Sequence, residues 1–181
     1  FSHFRLCINY LGNMIEDYFA DGQKWGAKIR DVKESQHLGT AGALSILDPV
    51  PEREFIVVNG DVLTGADYSQ FIQFHRKHDA IATLCVRKSD VQIPFGVVEI
   101  KDHIVTCLSE KPVHSSFVNA GIYCLSPQSL DFLKENEVCD MPDLFKNLRE
   151  NGHVTTAFPL HEQWIDIGRH EDFSRASRIV S

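Results

Sequence analysis

The chain alternates short apolar runs with stretches whose apolar residues recur every three or four positions. Those two periods predict strands and helices in turn. Residues 4–10 read as a strand. Leu11, Met14, Ile15, Tyr18 and Phe19 follow at helical spacing, and Asp21-Gly22 ends that helix. Residues 27–32 are strand-like, and residues 40–47 are helical up to Asp48-Pro49. Residues 54–59 form a continuous apolar run of the kind that a parallel sheet buries on both faces. Tyr68, Phe71, Ile72 and His75 mark another helix, and residues 81–86 another buried strand.

Beyond Ser89 the texture changes. Residues 97–100, 104–108, 118–125 and 155–159 are strand-like with shorter connections. Asp140-Met141-Pro142 opens a helix whose apolar stripe is Met141, Leu144, Phe145 and Leu148, and Asn151-Gly152 closes it. A last helix is expected from near His170. Alternation followed by strand-rich sequence predicts an α/β fold: a Rossmann-like, mostly parallel (mixed) sheet flanked by helices, with a β-rich second half. The division falls at about residue 89, within one domain spanning residues 1–181.

Composition narrows the partners. The formal net charge of −7 argues against a general nucleic-acid or anionic-membrane surface. No apolar run is long enough to span a bilayer. Five cysteines without a C-x-x-C pair, and nine scattered histidines, give no zinc spacing. Cys7, Cys85 and Cys124 sit in apolar runs and read as small buried hydrophobes in a reducing cytoplasm, with no disulfide. The chain opens at Phe1 without an initiator Met and reads as part of something longer.

Six segments could carry chemistry. Leu38-Gly39-Thr40-Ala41-Gly42-Ala43-Leu44 lies between a strand and a helix. Gly39 permits close backbone approach and Thr40 can cap, which leaves the first helical amides free to meet a polar group; taken alone, the segment reads rather as an ordinary capped helix start. Asn59-Gly60-Asp61 ends the most apolar strand, where a carboxylate suits Mg²⁺, although Asn-Gly-Asp is also good turn chemistry. Asp166, in Trp164-Ile165-Asp166-Ile167-Gly168, offers a second carboxylate, or a helix cap. Glu110-Lys111 offers a hydroxyl acceptor and a phosphate-binding cation, or a surface ion pair. Asn119 enters an apolar strand and needs partners, from backbone or ligand. Gly96 opens a strand where close approach is possible.

No one of these segments is diagnostic alone. Their order, LGTAGAL, VVNGD, PFGVVEI, SEKP, FVNAGIY and WIDIG, resembles that of the sugar-1-phosphate nucleotidyltransferases and covers essentially the whole chain. Flanking segments (NYLGNMIEDYFADG, DMPDLF) look closest to bacterial members acting on aminosugar or heptose phosphates, some of them guanylyltransferases. The resemblance implies transfer of a nucleoside monophosphate from a nucleoside triphosphate to a sugar-1-phosphate, with Mg²⁺ as cofactor. By the same resemblance Gly39 and Thr40 border the base, with Asn59 and Gly60 also on the nucleotide side. Asp61 and Asp166 hold the metal and, with Lys111 on the sugar phosphate, form the catalytic set. Gly96, Glu110 and Asn119 meet the sugar.

The family's glycine-rich loop and its first, central strand have no counterpart here. The expectation is that this chain alone does not turn over, and that a second copy or a swapped segment covers the gap. Two other readings stay open: a non-catalytic nucleotide-sugar-binding or regulatory module, and a nucleotide-sugar glycosyltransferase. The last is weakened because Asp61 is followed by Val62-Leu63 rather than by an Asp-x-Asp motif.

Overall fold

The computed structural model describes residues 1–168; the helix expected from His170 lies outside them. In chain order the elements are β1 (His3–Ile8), α1 (Gly12–Phe19), β2 (Lys28–Lys33), α2 (Gly39–Gly42), β3 (Phe55–Val58), β4 (Val62–Thr64), α3 (Tyr68–Lys77), β5 (Ala82–Gln92), β6 (Gly96–Lys101), β7 (Ile104–Glu110), β8 (Val113–Leu125), α4 (Met141–Glu150), β9 (Thr155–Pro159) and β10 (Trp164–Asp166). The α/β alternation and the strand-rich second half are both present. β1 pairs with β2 in parallel, while β4–β10 and β6–β7 are antiparallel. A further sheet has the order β3-β8-β5-β9. The arrangement is therefore mixed.

The chain gathers into two compact units, each assembled from three segments. The first takes Phe1–Val57, His75–Thr83 and Cys124–Thr156. Its core holds Ile8, Leu38, Ala41, Leu44, Leu47, Ala82, Cys124 and Leu125, together with Met141, Leu144 and Leu148 from α4. The second takes Val58–Phe74, Leu84–Tyr123 and, among the described residues, 157–168. It buries Phe71, Cys85, Ala120, Ile122, Tyr123 and Leu160, and stacks Phe158 against Phe71 and Phe74.

Local chemistry explains where elements begin and end. Asp67 caps α3: its Oδ1 accepts from the Ser69 and Gln70 amides, which holds its carboxyl below the usual range. α4 stops at Asn151, and Gly152, at φ 80°, turns the chain away. The helix expected over residues 40–47 is shorter. It breaks after Gly42 into a 3₁₀ turn, Ala43–Ile46, where the Ser45 hydroxyl donates to the Gly42 carbonyl. β5 and β8 run further than their apolar cores suggested, because polar residues continue the ladders at one end. β3 is not buried on both faces. It is an edge strand, half-buried, with Val58 exposed. The five cysteines are free thiols; Cys85 and Cys124 are buried, but Cys7 is exposed on β1.

His75 is buried in the first unit, at 2% exposure. Its two ring nitrogens have different jobs. Ser126 Oγ donates its one hydrogen to the Ala80 carbonyl, so its contact with His75 Nε2 at 3.0 Å requires the imidazole to donate there. Nδ1 of the neutral ring then accepts from Thr83 Oγ1 at 2.8 Å, and Thr83 in turn accepts from Thr156 Oγ1 at 2.7 Å. Burial lowers the His75 pKa from the ordinary 6.5. The folded chain thus keeps His75 neutral where the unfolded chain takes a proton. The stability this confers is complete above pH 6.5 and is lost as pH falls toward the depressed folded value. We expect His75→Leu to cost about 1–3 kcal/mol near neutral pH, by stranding its hydroxyl partners. It should also flatten the acid side of the stability profile. Urea titrations of both proteins between neutral pH and pH 5 test this; an unchanged slope contradicts it.

Candidate functional site

The turn between β2 and α2 is held chiefly by the segment leading into α4, with the Leu38 amide donating to Glu34 Oε2. Gly39 has φ 78°, and a Cβ there would lie 2.7 Å from the Cys139 carbonyl oxygen and 2.8 Å from Asp140 Oδ1. Only glycine allows that approach. Three of the helix's amides have partners within the chain: Thr40 N donates to Asp140 Oδ1 at 2.9 Å, and Ala41 N and Gly42 N both donate to the Cys139 carbonyl. Cys139 N donates back to the Leu38 carbonyl. Thr40 does not cap its own helix. Its hydroxyl donates to Asp140 Oδ1 and accepts from Met141 N, in the first turn of α4.

In the second unit, the chain after Asn59-Gly60-Asp61 forms β4, a strand the apolar pattern was too short to announce. Its register with β10 sets Val62 opposite Asp166, which brings Asp61 beside Asp166. The Ile167 amide donates to the Asp61 carbonyl at 2.7 Å and closes the ladder. A Cβ on Gly168 would stand 3.1 Å from both Asp61 Oδ2 and Asp166 Oδ1. The two carboxylate oxygens are therefore separated by at most twice that distance, and Gly168 leaves the space between them open. Asp166 Oδ1 also accepts from the Gly168 amide. Both aspartates are exposed. Among the described residues no group of three or more His, Cys, Asp or Glu gathers as ligands. Two converging carboxylates fit a hard cation that takes its remaining ligands from water and phosphate.

Trp164 and Asn119 fix the neighbouring backbone. The Trp164 indole donates to the Ala120 carbonyl at 2.8 Å. Gly121, at φ 70°, lies against Asn59, whose Nδ2 would be 2.9 Å from an added Cβ, and Asn59 N donates to the Gly121 carbonyl. Asn119 Oδ1 accepts from Gly121 N, and its Nδ2 donates to the Tyr123 hydroxyl. The Asn119 amide thus has protein partners on both atoms. Gly60 faces open space.

Gly96 and Glu110 are cross-strand partners at the open end of the β6–β7 ribbon, with Glu110 Oε2 3.2 Å from an added Gly96 Cβ. Lys111 follows at φ 47°, with its amide bonded to Phe95 and its carbonyl to Gln92. Its side chain is exposed and makes no ion pair with Glu110 among the described residues. No hydrogen bond joins Glu110 or Lys111 to Asn119 there either. The structure therefore assembles Asp61 with Asp166, Asn59 with Gly121 and Asn119, and Gly96 with Glu110; the first two groups adjoin through Val62 and Trp164, which meet residues 120–121. Sequence reasoning missed Gly168 as the space-maker, Trp164 as the anchor of β10, and Asp140 as the partner of Thr40.

Comparison with known proteins gives these clusters a context. The family profile Nucleotidyl transferase matches residues 3–181. The chain is 30% identical to a UTP–glucose-1-phosphate uridylyltransferase of Synechocystis sp. over 200 residues, covering 99% of this chain and 52% of that protein. It is 32% identical to a mannose-1-phosphate guanylyltransferase catalytic subunit beta of Drosophila pseudoobscura pseudoobscura, covering 93% of this chain and 47% of that protein. The chain spans about half the length of the curated relatives it matches. Its fold is shared by HddC from Yersinia pseudotuberculosis complexed with GMP-PN, with a TM-score of 0.73 and 24% identity over 98% of this chain and 78% of that one.

The packing at Gly39 carries its own test. Gly152 has the same left-handed backbone, at φ 80°, but nothing within 4 Å of an added Cβ. Gly152→Ala should cost about 1–2 kcal/mol, the price of the backbone conformation alone. Gly39→Ala meets the same strain and two oxygens besides, and should cost at least about 2 kcal/mol more. Equal losses in chemical denaturation would mean that the 139–140 segment yields without resistance.

Proposed function

This chain belongs to the nucleotidyl transferase family, and from that premise we propose that the protein transfers a nucleoside monophosphate from a nucleoside triphosphate to a sugar-1-phosphate. A phosphate oxygen of the sugar-1-phosphate attacks the α-phosphorus, the bond from that phosphorus to the bridging oxygen breaks, and pyrophosphate leaves with the electron pair. The product is a nucleoside-diphosphate sugar. The names of the relatives, a glucose-1-phosphate uridylyltransferase and a mannose-1-phosphate guanylyltransferase, support this substrate class.

The observation that carries the reading is the convergence of Asp61 and Asp166 on the space left by Gly168. These carboxylates would hold Mg²⁺, which when bound offsets charge on the phosphate oxygens. Phosphoryl-type transfer otherwise asks for positioning and charge neutralisation, with no side-chain nucleophile. In this reading Lys111 presents a point charge to the sugar phosphate, Glu110 accepts from a sugar hydroxyl over the bare Gly96 backbone, and Asn119 orients the loop that meets the sugar. Gly39 and Thr40 border the base. The Thr40 amide is already used, as are those of Ala41 and Gly42, so the turn contributes a fixed surface more than free donors. Asn59 and Gly60 line the approach to Asp61.

No helix among the described residues is long and apolar enough to cross a membrane, and we place the reaction in the cytoplasm. Among the described residues β1 is hydrogen-bonded along one edge only, to β2. An open edge is where a strand from a second copy or a swapped segment would add.

Substitution in the intact natural protein tests the roles separately. Asp61→Asn and Asp166→Asn should each lower pyrophosphate release about 10²–10³-fold, the usual scale for losing one charge-stabilising group. Each should also weaken Mn²⁺ binding in a direct titration. Lys111→Ala should raise KM for the sugar phosphate far more than for the triphosphate. Full activity in either aspartate variant would defeat the proposal.

A further inference from the structure

We propose that Asp140 is a positioning residue for the nucleotide-bordering turn at Gly39-Thr40; the role rests on the transferase reading above. Asp140 stands at the N-cap position of α4, where an aspartate ordinarily accepts from amides of its own first turn. Its side chain makes no such bond. Oδ1 reaches instead to Thr40, accepting from the amide at 2.9 Å and the hydroxyl at 3.2 Å. The α4 amide of Met141 is met in exchange by Thr40 Oγ1, at 2.8 Å. Each helix start is thus capped by the other's side chain.

The exchange is chemically complete. The Thr40 hydroxyl spends its one hydrogen on Asp140 and one lone pair on Met141. The α2 amides after Thr40, those of Ala41 and Gly42, are satisfied by the adjacent Cys139 carbonyl. The orientation of the turn is consequently set by residues 139–141, nearly a hundred positions later in the chain. The Thr40 amide also holds the Asp140 carboxyl below its usual range, so it is charged at neutral pH. A charged acceptor makes the stronger kind of hydrogen bond. Buried Met141 anchors the segment that accepts from the turn, so the turn is tied to the start of α4.

Equilibrium binding to the intact natural protein separates positioning from simple stability. The probes are fluorescent analogues of GTP, UTP and dTTP. Asp140→Ala should weaken binding of the preferred triphosphate about tenfold, as expected for a lost charged hydrogen bond. Asp140→Asn keeps the Oδ1 acceptor and should stay within about threefold. Asp140→Glu, with its carboxylate displaced by one methylene, should fall between them and serves if the alanine variant does not fold. KM for the sugar-1-phosphate should move less than about twofold. Leu148→Ala, a cavity under α4, should lower stability by about 2–5 kcal/mol and leave nucleotide affinity unchanged. Unchanged triphosphate affinity in folded Asp140→Ala or Asp140→Glu, or an equal rise for both substrates, overturns the proposal. A wild type that binds triphosphate without turnover defeats the transferase reading, and the binding comparison still decides the role of Asp140. A wild type that binds no triphosphate overturns both.

Discussion

A chain that leaves a strand and enters a helix must find partners for the first amides of that helix. In this protein the partner is a distant piece of the same chain. Cys139 and Asp140 take the amides of Thr40, Ala41 and Gly42, and Thr40 returns the favour to Met141. The packing of the first unit follows from that exchange. Leu38 and Ala41 are fully buried because the turn is drawn against the start of α4, and Met141, Leu144 and Leu148 complete the same core. Gly39 and Gly42 are small because the approach of residues 137–140 leaves no room for a side chain. A motif whose amides are spent internally is a shaped wall, not an anion cradle, and that suits the flat face of a base better than a phosphate.

The second unit solves a different problem. Two carboxylates that approach one another repel, and in the absence of a cation nothing electrostatic rewards the arrangement. Backbone pairing supplies the constraint instead. The β4–β10 ladder, closed by Ile167 donating to Asp61 and anchored by Trp164 on Ala120, holds the two aspartates in place whatever their side chains prefer. The ladder spends folding free energy on a preorganised pair, as active sites commonly do.

Much of this was legible in the sequence, and the exceptions have physical causes. The helices α1, α3 and α4 follow directly from apolar spacing, and the Asp-Met-Pro start and Asn-Gly stop of α4 read true. β3 looked like a doubly buried strand because its four residues are all apolar, but composition cannot say whether a strand stands at an edge. β4 is three residues long and carries no period of its own; it exists because β10 pairs with it. Asp61 and Asp166 were found as a pair through the motif series, yet the reason they meet, the register of that ladder, is a long-range fact. The turn at Gly39 was recognised for its glycine and read as a capped helix start, but the cap comes from residues 139–140 and not from Thr40. Asp140 was read only as part of a helix start, and nothing near it in sequence points to Thr40.

The central claim is nucleotidyl transfer at the Asp61–Asp166 pair, and the reverse reaction tests it most directly. The intact natural protein would be incubated with Mg²⁺, isotopically labelled pyrophosphate and, separately, GDP-mannose, UDP-glucose and dTDP-glucose. The account predicts label in the nucleoside triphosphate with at least one of these sugars, and none when both aspartates are replaced by asparagine. A folded wild type that returns no label from any of them, or equal label from the doubly substituted protein, would contradict it.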